Sequence, residues 1–219
     1  MTAMTIRRTV RAWPVALLLL GGAGGCAKPF RPVVSTPVVA PAPPTPDSPQ
    51  SAVRLLEWCW DNRDITQYGQ VFAGDYRFVF ALGDSAGNEF RDDPVTREVE
   101  LDMARHLFVG GGAAAPATSI ALNLDPTLLP LQDSRPGKNA RWHKEVVSSV
   151  DLTVRTEGGA EYRILGNARF FVVRGDSALI PPELGLGPDS TRWYIDQWTD
   201  ETLSGAGEVS WGQLKAWYR

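Results

Sequence analysis

The chain has 219 residues, 43% hydrophobic and 21% charged, with a formal net charge of −3, two cysteines and two histidines. That balance lacks the clustered Lys and Arg with which proteins neutralise nucleic-acid phosphates, so no nucleic-acid partner is expected. Two cysteines are also too few for a disulfide framework.

Arg7, Arg8 and Arg11 precede an apolar run at 13–20, and small residues follow up to Cys26. Charged, then apolar, then small is the order of a secretory signal. The run is shorter than the roughly 20 apolar residues that a membrane-spanning helix needs. Ala23-Gly24-Gly25-Cys26 resembles the lipobox of bacterial lipoproteins, in which the Cys is diacylated and becomes the new N-terminus. The resemblance implies a signal peptide at 1–25, lipid attachment (palmitate-type acyl chains) at Cys26 and the membrane as a partner. With Ala27 next, it also implies an outer-membrane address facing the periplasm. An ordinary cleaved signal with a coincidental Cys is the alternative, and Arg7-Arg8 opens a twin-arginine pattern that Thr9-Val10-Arg11 does not continue. Cleavage removes three arginines and no acids, taking the formal charge to −6.

Residues 26–48 are rich in Pro, Ala, Val and Thr, which favours extended polyproline geometry and cannot bury a core. At about 3.1 Å per residue such a tether reaches on the order of 60 Å from the bilayer. Residues 49–219 are long enough for one domain with a substantial core.

Ser48 with Pro49 marks the start of a helix through Leu55, Leu56, Cys59 and Trp60. Cys59, between two tryptophans, reads as a small buried hydrophobe. Asp64 with Gln67 opens a second helix in a capping-box arrangement. Alternation at 75–82 predicts a strand with Tyr76, Phe78, Phe80 and Leu82 on one face. Asp93-Pro94 predicts a third helix with Val95, Val99, Met103 and Leu107 along one side, stopped by Gly110-Gly111-Gly112. Strands are expected at 118–124, 145–155, 161–174 and 191–198, the middle pair joined across Glu157-Gly158-Gly159. Residues 125–144 and 180–190 read as loops. Ser210 and Gln213 lead a short last helix with Leu214, Trp217 and Tyr218.

Leu55-Leu56-Glu57, the Asn62-Arg63-Asp64 turn before Ile65-Thr66-Gln67-Tyr68, and Trp193-Tyr194-Ile195-Asp196-Gln197-Trp198 resemble the opening helices and the terminal strand of the NTF2-like (SnoaL/cystatin-like) superfamily. The resemblance covers about 49–200. It implies an α+β fold in which a strongly bent antiparallel sheet wraps about three helices as a cone, here with a short C-terminal helix added. It also implies an apolar pocket at the open end, used by isomerases, dehydratases and non-catalytic modules alike, so the fold does not settle function.

Such enzymes place an ionisable group in the cone, where desolvation shifts its pKa. Tyr76, His106, Asp151 and Asp196 are the candidates. His106 also suits the negative end of its helix, His143 lies in a basic loop, and Asp151 with Thr153 falls on the face opposite Val150, Leu152 and Val154. Tyr76, Phe78, His106, Trp193, Asp196 and Trp198 form the expected pocket set, without a catalytic assignment. Phe78, Phe80, Phe170, Trp193 and Trp198 fit a core equally well. No metal-ligand spacing and no phosphate-cradling loop occurs, so no metal or cofactor is expected. The expected function is a membrane-anchored, non-enzymatic binding or assembly module of the cell envelope, taking a small apolar ligand or a protein partner. Its rivals are an acid/base isomerase or dehydratase using Asp196 or His106, and a homodimer through the convex sheet.

Overall fold

Helix α1 (Pro49–Asn62) begins where its cap predicts: Ser48 Oγ accepts the Ser51 amide at 3.1 Å and Pro49 takes the first helical position. The computed structural model describes residues 41–90, 95–175, 180–182, 191–202 and 209–219. The expected leader, Cys26 and most of the tether lie outside the described residues, as do Asp93-Pro94 and most of the 180–190 loop. The end of the expected tether lies on the domain, with Pro46 buried and its carbonyl accepting the Trp193 amide at 2.8 Å.

Ala52, Leu55, Leu56, Cys59 and Trp60 recur at helical spacing and form the buried face of α1. Arg63, at φ 52°, turns the chain, and Asp64 caps α2 (Ile65–Tyr68) by accepting the Gln67 amide at 2.9 Å. Strand β1 (Phe72–Val79) starts and ends earlier than the alternation suggests. Tyr76 and Phe78 are buried, but Leu82 lies beyond the strand and is exposed. A 3-10 turn follows at Ser85–Phe90. Val95, expected in the third helix, instead pairs with Phe78 in β2 (Val95–Thr96), and α3 (Arg97–Phe108) begins after Thr96 in extended geometry. Gly110 and Gly111, at φ 101° and 99°, end it in a conformation that side chains disfavour.

The remaining strands are β3 (Ala117–Leu124), β4 (Pro130–Gln132), β5 (His143–Thr156), β6 (Glu161–Arg174) and β7 (Trp193–Thr202). Strand β4 sits inside the stretch expected to be loop. The order is β2-β1-β7-β6-β5-β3, with β4 added beside β5. The sheet is mixed rather than wholly antiparallel, because β1 and β7 run parallel and put Phe78 beside Trp198. Helix α1 packs on β3, β5, β6 and β7, and α3 packs on β1, so both lie within the curve of the sheet. The last helix, α4 (Trp211–Trp217), is capped by Ser210 Oγ on the Gln213 amide at 2.9 Å.

Two local devices shape the sheet. Between Val172↔Ile195 and Phe171↔Gln197 the β7 register slips, leaving Asp196 as an extra residue. Such a bulge puts both of its side chains on one face and inverts the alternation beyond it. Ile195 and Trp198 therefore both join the main core, whereas Tyr194 packs in a separate cluster with Ala73, Val173 and Ile180. The second device covers the free edge of β3. Asp61 accepts the Leu122 amide at 2.7 Å, Glu57 accepts the Leu124 amide at 2.9 Å, and Arg63 donates to the Ala117 carbonyl at 2.7 Å. Four residues on a helix rise about 6 Å and two on a strand about 6.7 Å, so the Glu57/Asp61 spacing matches alternate amides.

Candidate functional site

Inside the curve, the apolar stripe of α3 runs through Glu100, Met103, Ala104 and Leu107, and that of α4 through Trp211, Leu214, Lys215 and Tyr218. Each stripe has an i, i+3, i+4, i+7 pattern with one charged residue in it. The two charges meet. Lys215 Nζ donates to Glu100 Oε2 at 2.7 Å, with 3% and 1% of the side chains exposed. Tyr68 donates to Glu100 Oε1 at 2.6 Å and Tyr76 to Oε2 at 3.3 Å. The ammonium lies 3.8 Å from the Phe78 ring centre and 3.5 Å from that of Trp198, within cation–π range.

Burial dominates the electrostatics. It pushes the Lys215 pKa down to about 8, although Glu100 and Asp200 attract the charged form. It raises Tyr68 and Tyr76 well above their ordinary values, with Glu100 adding to the effect. Asp200, also raised by burial, holds α4 in place. Its Oδ2 accepts the Gly212 amide at 2.7 Å and its Oδ1 accepts the Thr202 hydroxyl at 2.6 Å, while Thr202 Oγ1 accepts the Trp211 amide at 2.8 Å. With Ser210 on Gln213, three amides that a helix start leaves unsatisfied are taken up by side chains.

Helix α4 fills the cone. Trp211 stands edge-on to Trp198 at 4.2 Å and to Trp60 at 5.1 Å. Beside Lys215 there remains a cavity of about 10 Å³, lined by Trp60, Glu100, Met103, Ala104, Leu107 and Tyr218. That is room for about one water molecule. The buried indole N–H groups of Trp198 and Trp211 have no acceptor among the described residues. Larger depressions open at the surface: one of about 410 Å³ along Val79–Leu82 and Thr199–Thr202, and one of about 270 Å³ beside Tyr162 and Trp217.

Of the expected pocket residues, the structure brings Tyr76, Phe78 and Trp198 together around the pair, and Trp193 joins the same core. Asp196 is elsewhere. The bulge turns it and Gln197 to the outer face, where Arg135 donates to Asp196 at 2.9 Å and to Gln197 at 3.2 Å and lies 4.1 Å over the Phe171 ring. Lys138 adds a contact to Asp196 at 3.3 Å. Strict alternation puts Asp196 on the Trp198 face; the extra residue reverses that. His106 is also outside the cone, its Nδ1 donating to the Tyr218 carbonyl at 2.9 Å, which ties the end of α4 to α3. Asp151 pairs with Arg163 at 3.2 Å on the exposed face. Cys59 is buried, and burial pushes its thiol pKa up, away from nucleophilic behaviour. Among the described residues no cluster of His, Cys, Asp or Glu could hold a metal.

Glu100, Lys215 and Asp200 were not singled out from sequence. The signal for the first two was present: Lys215 is the lone charge in an otherwise apolar helical stripe, and Glu100 stands with Arg97 at the start of one.

Neither a protein-family model nor a curated protein matches the sequence. Among solved structures, the domain is similar to a Novosphingobium aromaticivorans protein whose name proposes a scytalone dehydratase. The identity is 10% over 73% of this chain and 85% of that one, with a TM-score of 0.50. It is also similar to an NTF2-like superfamily protein from Salmonella enterica (12%, 71% and 87%, TM-score 0.43) and to a ketosteroid isomerase-like protein from Erwinia carotovora (10%, 71% and 94%, TM-score 0.45). At such identities the likeness concerns the fold.

Proposed function

We propose that this chain, whose domain has the NTF2-like fold, is a membrane-anchored, non-enzymatic binding or assembly module of the cell envelope. One observation carries the non-enzymatic part. With α4 in place, Trp211, Leu214 and Lys215 occupy the interior where a substrate would have to sit, and the cavity beside Lys215, among the described residues, is about 10 Å³. Of the residues nominated for acid/base chemistry, Asp196 faces outward, Asp151 pairs with Arg163 on the exposed face and His106 holds the chain's own carbonyl. Tyr76 alone reaches the interior, where burial raises its pKa well above the ordinary value and its hydroxyl is bound to Glu100. The anchoring part rests on the lipobox-like sequence ending at Cys26. Surface depressions lined by Val79, Phe80 and Leu82, or by Tyr162 and Trp217, offer apolar contact outside the closed cone.

A thermal-shift screen with apolar small molecules, followed by a turnover assay on each hit, tests the reading. Stabilisation without product is the expected result. Product formation abolished by Glu100→Gln would replace it with an acid/base enzyme.

A further inference from the structure

The Lys215 ammonium has three donors and, among the described residues, one hydrogen-bond acceptor, Glu100 Oε2. The rest of its immediate surroundings is aromatic, with the faces of Phe78 and Trp198 at 3.8 and 3.5 Å. This environment satisfies a positive charge rather than N–H groups, as the aromatic cages that take alkylated ammonium ions do. The cage residues themselves come from outside α4, although Trp211 of that helix stands edge-on to Trp198 at 4.2 Å. Glu100 comes from α3 and is held by Tyr68 of α2 and Tyr76 of β1, and the ring faces come from β1 and β7. Only the cation comes from α4, at a position 115 residues from Glu100. A carboxylate oriented by two tyrosine hydroxyls and two fixed ring faces is a preorganised site. Asp200 adds attraction for positive charge.

We propose that this cage of Glu100, Tyr68, Tyr76, Phe78 and Trp198 is a binding site for an organic ammonium group, occupied here by the chain's own Lys215 and open to an alkylammonium ligand when α4 withdraws. The proposal rests on the reading of the chain as a binding module and names the chemical class it binds. Burial that lowers the Lys215 pKa to about 8 makes the occupant an imperfect one, because a permanently charged alkylammonium keeps its cation–π attraction at any pH.

The experiment uses the full chain. In Lys215→Ala the side chain beyond Cβ is missing, and n-propylammonium replaces it atom for atom. Addition of n-propylammonium is expected to raise the Tm of Lys215→Ala saturably by several degrees. Propan-1-ol at equal concentration should not, and Glu100→Gln in the same background should abolish the effect. If Lys215→Ala does not fold alone, the folded yield on refolding with and without n-propylammonium gives the same reading, with the Lys215→Met/Glu100→Gln double variant as a folded, non-responding control. On wild type, tetramethylammonium is expected to speed amide exchange at 211–217 saturably. Equal effects of propanol and propylammonium, or no effect of either, would overturn the cage. A cage that fills in the variant while α4 exchange in wild type never responds would reduce it to a structural ion pair and overturn the proposal. None of these readouts depends on membrane anchoring or turnover, so their failure is separable from failure of the module reading.

Discussion

Lys215 and Glu100 stand at helix positions that hydrophobic side chains would fill at lower cost. Desolvating two charges offsets most of their attraction, and removing one partner strands the other. Lys215→Met or Glu100→Gln alone is therefore expected to destabilise the domain by about 3–5 kcal/mol, whereas the double variant falls close to wild type or above it. Urea denaturation of the three proteins checks this, and equal losses in single and double variants would contradict it. The pH dependence has a definite sign. Lys215 titrates at about 8 in the fold, below its ordinary value. A lysine lowered in this way contributes stability that is present above its unfolded pKa of about 10.4 and is lost as the pH falls through about 8. Tm measured from pH 7 to 10 should therefore rise in wild type relative to the double variant. Cys59, raised, acts in the opposite sense in the alkaline range and is common to both proteins. Tyr68 and Tyr76, raised in part by Glu100, act in that sense too, but only as the pH approaches about 10, the value of an unfolded tyrosine. Asp200, also raised, contributes stability that is present below its unfolded pKa and lost as the pH rises through its folded value. The Lys215 charge counteracts that rise, so the loss is larger in the double variant, in the sense that adds to the expected difference. Gly212 makes a further demand. A β-carbon there would meet Phe80 Cε1 at 2.9 Å and Asp84 Oδ2 at 3.1 Å, with Phe80 Cδ1 closer still. The Phe80 ring cannot easily yield, since Phe78 stands edge-on to it at 5.0 Å and Phe90 stacks on it at 4.8 Å. Gly212→Ala is expected to cost about 1–3 kcal/mol in denaturation experiments.

At the scale of elements, the covered edge of β3 is a protection that the helix supplies through side chains alone. An unpaired strand edge is a template for association with other chains. Glu57→Ala and Asp61→Ala each leave a strand amide without its acceptor, which costs about 1–3 kcal/mol when the group is buried. Faster aggregation on mild heating, followed by light scattering, is the expected result, strongest in the double variant; unchanged scattering would show that α1 covers the edge by bulk alone. Asp61 also has its pKa raised by burial, so its hydroxyl-bearing acid form becomes the weaker acceptor at a higher pH than an exposed aspartate would. The helix starts at Ser48, Asp64 and Ser210 were legible in sequence because a cap acts within three residues. So was the Gly159 hairpin, where φ is 80°. The bulge at Asp196 was not legible, since it depends on how β7 pairs with β6, and neither strand announces a slipped register alone. The same limit applies to Arg135, whose capture of Asp133 and Asp196 spans 61 residues of sequence in the second case. Val95 was misplaced because a four-residue spacing continues by chance one step beyond a helix start that β1 pairing overrides.

For the whole molecule, the decisive question is whether the folded domain works free or on a surface. The domain's core begins with Ala52 and Val53 of α1, and no helix among the described residues is long and apolar enough to cross a membrane. Attachment, on the reading proposed here, is through Cys26. Each buried methylene contributes about 0.8 kcal/mol, so one acyl chain binds only marginally and two or more hold permanently. Wild-type protein is then expected in the membrane fraction, retained in high salt and released by detergent. Mass spectrometry should find the processed terminus at Cys26 carrying a diacylglycerol mass. Cys26→Ser should leave the membrane fraction with an unchanged Tm, because residue 26 lies outside the 41–219 unit that contains the core. Retention of Cys26→Ser on membranes would assign the anchor to the uncleaved apolar run at 13–20, and an unmodified thiol on the wild-type terminus would remove the lipid from the account altogether.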